Sequence, residues 1–295
     1  MSRQRPTPLA GRTAVITGAG SGIGRSLALR LAAHACPVVI VDANGETVEE
    51  TAALLDGPAL VRTLDVRDSQ GLVDLAAEVR EWSPGPIGAV FNNAGVGLDS
   101  PIAGGSREAD ERLMAINFDG VVNGVRAFLP ILLEQRDGAI VNTSSIFGLT
   151  GIRNQSAYCA SKFAVRGFTD ALRYELDGTG VRAIIVHPGG IKTNIFRNVQ
   201  AHPDLSDGRT LEEHAEEFNA RARTTPERAA EIIHEELDKG SVRILVGRDA
   251  HFVDLLTRIA PTKAMRVLEA LERFARRGHG AGDPAEPSRA RTVSM

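Results

Sequence analysis

Cysteine is scarce in this chain: Cys36 and Cys159 are the only two in 295 residues. Neither stands in metal-ligand spacing with His, Cys or carboxylate neighbours, so the sequence predicts no metal site and no disulfide framework. Two free thiols in a reducing compartment are expected. An excess of charge of one sign is also missing. The 34 Lys and Arg nearly balance 37 Asp and Glu, for a formal charge of −3, so no basic face points to a nucleic-acid partner. No run approaches the roughly eighteen apolar residues of a membrane span. Met1 to Leu9 has arginines but no apolar h-region, so it does not read as a secretory signal. These absences lead to the expectation of a soluble, cytoplasmic protein. What is present is ordinary globular material, 43% hydrophobic and 24% charged, long enough for one large α/β domain or two smaller ones.

Short β-branched runs alternate with longer helical stretches, the pattern of a doubly wound parallel sheet. The predicted strands are Thr13–Thr17, Val38–Asp42, Leu60–Asp65, Ile87–Asn92, Gly138–Ser144, Val181–His187 and Val242–Val246. Predicted helices run from Gly22 to His34, Asn44 to Leu55, Ser69 to Trp82, Glu108 to Leu133, Ala157 to Leu176 and Pro226 to Lys239. A main domain over residues 9–247 is expected. Within it, 194–225 is too long for a plain connection and reads as a substrate lid with some helix of its own. Residues 248–277 read as a helical C-terminal extension, with Ala264, Val267, Leu268, Leu271 and Phe274 at amphipathic spacing. The Gly-, Pro- and Arg-rich stretch 278–295 reads as a disordered tail.

Three constellations carry chemistry. The first is Thr17-Gly18-Ala19-Gly20-Ser21-Gly22-Ile23-Gly24, between the first strand and the helix after it. Glycines let the backbone approach a ligand closely, and a helix N-terminus suits a pyrophosphate. The second is Asp42, closing the next strand. A carboxylate there can accept from both ribose hydroxyls and repels a 2′-phosphate, and no Lys or Arg follows in Ala43-Asn44-Gly45 to hold one. NAD is therefore expected over NADP. The third is Tyr158 and Lys162, four residues apart on one helix face. An ammonium there favours the phenolate and is expected to lower the tyrosine pKa, poising it as a general acid or base.

With Asp65-Val66, Asn92-Asn93-Ala94-Gly95, Asn117, Ser144-Ser145 and Pro188-Gly189 followed by Thr193, all in order, the chain resembles the short-chain dehydrogenase/reductase family over about Gly11 to Gly247. The resemblance implies a Rossmann-type sheet of order 3-2-1-4-5-6-7 and an oxidoreductase acting on an alcohol or ketone. It implies cofactor contacts from Gly18, Ser21, Gly22, Ile23 and Gly24 at the phosphates. Asp65 and Val66 would meet the adenine, and Asn92, Ala94 and Gly95 the adenosine ribose turn. Pro188, Gly189, Ile191 and Thr193 would meet the nicotinamide. It implies a catalytic set of Asn117, Ser145, Tyr158 and Lys162. The family's serine precedes its tyrosine by thirteen residues, which selects Ser145 over Ser144. Tyr158 would move the hydroxyl proton and Ser145 orient the substrate oxygen. Lys162 would hold the nicotinamide ribose, and Asn117 a water linking Lys162 to solvent. Pairing as a homodimer or homotetramer through the fourth and fifth helices is a further implication.

His187 is given no role beyond a strand end. The substrate wall is expected from Val96, Gly97, Ile146, Phe147, Leu149, Ile152 and Gly190, with Arg153 and Arg197 facing solvent. That wall fits a small apolar secondary alcohol or ketone. The alternatives left open are an NADP-dependent carbonyl reductase of the same family and a non-catalytic dinucleotide sensor.

Overall fold

The structure is a computed structural model that describes residues 8–193, 222–268 and 270. Seven apolar runs pair as one parallel sheet: β1 (Thr13–Thr17), β2 (Val38–Asp42), β3 (Ala59–Thr63), β4 (Ile87–Asn92), β5 (Ala139–Thr143), β6 (Arg182–Pro188) and β7 (Arg243–Val246). Their order is β3-β2-β1-β4-β5-β6-β7, as the sequence led us to expect. Every residue of β1 and β4 is buried, because helices cover both faces of the sheet.

Alternation along the strands sorts the core into two layers. Ala14, Ile16, Ile40, Phe91 and Val186 face Leu27 and Leu31 of α1 (Gly22–Ala33) and Ile233 and Leu237 of α7 (Pro226–Asp238). Val15, Val39, Val90 and Ile140 face α3 (Ser69–Trp82), α5 (Gly120–Gln135) and α6 (Ser156–Glu175). A fully buried side chain such as Phe128 contributes about 1.5–3 kcal/mol. Capping fixes where helices begin. Asn44 accepts from the Glu46 and Thr47 amides ahead of α2 (Gly45–Ala52), and Thr225 accepts from Arg228 ahead of α7.

Several boundaries move, and two matter for the site. β3 stops at Thr63 rather than Asp65: the Leu64 amide makes the last bond of the ladder, to the Asp42 carbonyl, and the chain then turns, the Asp68 amide donating to the Asp65 carbonyl. Asp65 therefore sits on a turn at the sheet's carboxyl edge. The predicted helix Glu108–Leu133 is instead α4 (Arg107–Met114), a π turn (Ala115–Asp119) and α5. Arg107 to Gln135 is long and apolar enough by length and composition to cross a membrane, which a search for unbroken apolar runs overlooks. Here Val121, Val125, Phe128 and Leu132 pack it into the core.

After β7 comes α8 (Arg248–Ile259), then a helical turn at 264–268. Most of the expected lid, 194–221, lies outside the described residues, as do Arg197, Leu271, Phe274 and the tail 278–295. The described residues that flank 194–221 are joined: Ile191 bridges Thr224, and the Lys192 amide donates to the Thr224 carbonyl over 3.0 Å.

Candidate active site

A cleft of about 820 Å³ runs along the carboxyl edge of the sheet. At one end, the chain leaves β1 through Gly18, whose φ is +67° and whose missing Cβ would lie 2.7 Å from the Ala94 Cα. Only glycine fits such a turn against a neighbouring backbone. Gly18, Ser21, Gly22 and Ile23 line the cleft. Ser21 stands at the N-cap of α1 but makes no side-chain capping bond, so the first-turn amides of α1 remain for an anion. Gly24 does not line the cleft. A Cβ there would strike the Gly18 carbonyl at 2.0 Å, so this glycine serves close helix packing rather than cofactor contact.

Asp42 accepts from the Gly20 amide at 2.9 Å and the Asn44 amide at 3.0 Å. Gly20 is needed for this approach, since a Cβ would lie 2.3 Å from the Thr47 hydroxyl. Two amides fix the carboxylate and leave it accepting capacity toward the cleft. Asp65 and Val66 also line the cleft. The Asp65 carboxylate is held by Arg67 at 2.6–3.1 Å, and these bonds lower its pKa.

Asn92 requires a correction. It is buried in the sheet, donating to Asn142 over 2.8 Å, and is not a cleft residue. Asn142 in turn donates to Thr169. The next residues do reach the cleft: Asn93, Ala94 and Gly95 line it. Thr17 ties them down, its hydroxyl accepting from the Asn93 and Ala94 amides at 3.0 and 3.1 Å.

Further along, Ser145, Tyr158 and Lys162 converge on the same cleft. Ser145 hydrogen-bonds Tyr158 and accepts from the Phe147 amide at 3.1 Å. Ser144 turns away and donates to the Lys162 carbonyl at 2.8 Å, a bond that braces α6. Lys162 donates to the Thr143 carbonyl at 3.2 Å. Asn117 is fully buried in the π turn and outside the cleft lining. Its amide clips both the N–H and C=O of Val96, at 2.8 and 2.9 Å, and reaches Ser161 at 3.3 Å. The side chain thus braces the loop after Gly95.

Burial reverses the expected tuning. Tyr158 is pushed up to about 12 by desolvation, opposed by its bond to Ser145. Lys162 is pushed down to about 8 by desolvation. The lysine does not by itself lower the phenol, because both groups lose more from burial than they gain from each other.

The expected wall residues Val96, Gly97, Ile146, Phe147, Ile152 and Gly190 line the cleft, as do Pro188, Gly189, Ile191 and Thr193. Leu149 is buried but does not line it, and Arg153 is exposed away from it. Several residues of the cleft escaped the sequence reading. Phe252, Val253, Met265 and Leu268 bring the C-terminal extension into the wall. Asp249 accepts from the Gly190 amide at 2.5 Å and sits against Gly189. Gln155, one turn ahead of Tyr158, also lines the cleft. His187 is fully buried under the site, its Nδ1 3.0 Å from the Ser145 carbonyl.

These features fit a nicotinamide dinucleotide: uncapped first-turn amides for phosphates, a fixed carboxylate for a ribose, and Lys162 and Thr193 at the far end. Comparisons agree. The model of short chain dehydrogenases matches residues 12–204. SadH of Mycobacterium tuberculosis, named as an oxidoreductase, is 41% identical over 266 residues, 88% of this chain and 95% of that protein. The crystal structure of levodione reductase superposes with a TM-score of 0.72 at 30% identity, covering 83% of this chain and 98% of that one. A short chain dehydrogenase/reductase from Burkholderia phymatum, in complex with NAD, gives a TM-score of 0.75 at 26% identity, covering 98% and 100%. The chain belongs to the short-chain dehydrogenase/reductase family of oxidoreductases.

Proposed function

From that membership we propose that the protein is an NAD-dependent oxidoreductase that interconverts an apolar secondary alcohol and its ketone. The observation that carries this reading is the convergence of Ser145, Tyr158 and Lys162 beside an apolar wall at one end of a dinucleotide-shaped cleft. Oxidation of an alcohol removes a proton from oxygen and a hydride from carbon. A bound nicotinamide would supply the hydride acceptor. Tyr158 takes the proton from the hydroxyl, and returns it in the reductive direction. Ser145, already hydrogen-bonded to Tyr158, orients the substrate oxygen. Lys162 supplies positive charge beneath the tyrosine and holds the nicotinamide ribose. Thr193 with the Pro188–Gly190 loop, which Asp249 holds, shapes the nicotinamide end. Asn117 acts through Val96 to keep the substrate wall in place.

NAD is favoured over NADP by Asp42, a fixed carboxylate where a 2′-phosphate would have to lie. Reduction of a ketone is supported by the likeness to levodione reductase. Residues 194–225 as a lid, a homodimer or homotetramer, and a cytoplasmic location complete the reading.

The test is absorbance at 340 nm with NAD⁺ or NADP⁺ and a panel of cyclic and open-chain secondary alcohols. Reduction of NAD⁺ by an apolar member supports the reading. Cofactor binding with no turnover across the panel, in either direction, points instead to a dinucleotide sensor.

A further inference from the structure

His187 is fully buried near the carboxyl end of β6, and the chemistry above leaves it unused. Its Nδ1 lies 3.0 Å from the Ser145 carbonyl oxygen. A carbonyl only accepts, so Nδ1 carries the ring proton and Nε2 is a bare acceptor. That Nε2 is buried with no hydrogen-bond partner among the described residues. An apolar side chain of similar size would fill the space without orphaning a nitrogen. Packing alone therefore does not account for a histidine here, whereas its bond to Ser145 does.

The charge state suits that bond. Burial lowers the ring to about 4, against the upward pull of the Ser145 bond. Arg243 of β7 and Arg166 of α6 add to the lowering, and Asp170 of α6 opposes it. At neutral pH the ring is uncharged and keeps its one proton on Nδ1.

Ser145 has an extended backbone, φ −166° and ψ 169°, ahead of a single 3₁₀ turn at Ile146–Gly148. Two of its bonds come from inside that turn. The Gly148 amide donates to the Ser145 carbonyl at 3.0 Å, and the Phe147 amide to the Ser145 hydroxyl at 3.1 Å. Both would move with the turn. His187 instead stands on a strand paired on both sides, with β5 and β7, so its bond ties the Ser145 peptide to the sheet. A displacement of about 1 Å at a reacting group can cost on the order of 10²-fold in rate.

We infer that His187 is a positioning residue: through the Ser145 carbonyl it fixes the direction of the Ser145 hydroxyl toward Tyr158 and the substrate oxygen. This rests on the oxidoreductase reading above and adds a residue to its site.

The test uses shape-matched pairs at this position. His187→Asn keeps a donor near the place of Nδ1, and His187→Leu has the same shape without it. His187→Gln and His187→Met form a second such pair should the first fail to fold, with thermal melts as the check. In His187→Leu, kcat should fall by about 10- to 100-fold, while the dissociation constant for NAD stays within a few-fold of the wild type. His187→Asn should recover most of that loss. In a Ser145→Ala background the difference between the two should vanish, because the carbonyl then positions no hydroxyl. A packing role would lower both members of a pair alike, or leave their difference intact in Ser145→Ala. Either result, with an active wild type, overturns the assignment of His187 alone. If the wild type turns over no alcohol or ketone in the panel, the oxidoreductase reading fails and this assignment fails with it.

Discussion

The Lys162 ammonium lies 5.7 Å from the centroid of the Tyr158 ring, yet its hydrogen bond goes to the Thr143 carbonyl. With burial pushing Tyr158 up to about 12, the phenol is neutral at physiological pH until a further positive charge arrives. Bound beside Lys162, an oxidised nicotinamide would supply that charge and lower the tyrosine from there. Alcohol oxidation requires the phenolate, so its kcat/KM should climb with pH, about tenfold per unit while the phenol is neutral. Ketone reduction uses the neutral phenol and should not show this rise. Lys162→Met removes one positive charge, so the oxidative limb should move to higher pH and cofactor binding should weaken. Paired pH profiles of the two directions check this.

Asp42 gives a second expectation, on cofactor choice. Its carboxylate is fixed by the Gly20 and Asn44 amides and is free to accept two more hydrogen bonds. Asp42→Ser should raise KM for NAD by about tenfold or more, since a hydrogen bond to a charged group contributes about 1.5–3 kcal/mol. KM for NADP should fall or hold, because the repulsion of a 2′-phosphate is gone. The ratio of the two KM values is the measurement.

Asp249 belongs to the C-terminal extension yet holds the Gly190 amide. Asp249→Ala should raise KM for the cofactor severalfold, with Asp249→Asn, which keeps an acceptor, in between. Because Asp249 is exposed, solvent screening keeps the effect modest.

His187 links the site to stability. Burial lowers its imidazole from 6.5 to about 4, against a small upward pull from its bond to Ser145. Between those values the unfolded chain binds more protons than the folded one, so stability falls as pH drops through that window. The loss approaches about 3 kcal/mol at its acid end. His187→Gln does not titrate there, so between about pH 7.5 and pH 4.5 it should lose less stability than the wild type. Urea denaturation of both proteins at the two pH values checks the difference.

Much of this was legible in the sequence, for identifiable reasons. The strands are buried on both faces, so they read as unbroken apolar runs such as Val38–Val41. The glycine turn, Asp42 and the Ser145–Tyr158–Lys162 set are short-range patterns at fixed spacing. What failed needed tertiary information. Asn92 and Asn93 are adjacent at a strand end, so they point to opposite sides, and only the packing decides which meets the cleft. Nothing in Ala115–Asp119 marks a π turn. The sign of the Tyr158 shift depends on desolvation, which neither residue type nor spacing reveals. The contribution of α8 to the wall depends on how the chain returns after β7. Gln155 was within reach, since it lies three residues before Tyr158, but only the fold shows that it lines the cleft.

The most direct test of the central claim is Tyr158→Phe, measured for turnover at 340 nm and for NAD binding by calorimetry. The hydroxyl is the proton-transfer group in this account. Turnover should fall by about 10²–10⁴-fold or more, while the dissociation constant for NAD stays within a few-fold of the wild type. Turnover close to the wild-type rate in a folded Tyr158→Phe protein would contradict the account.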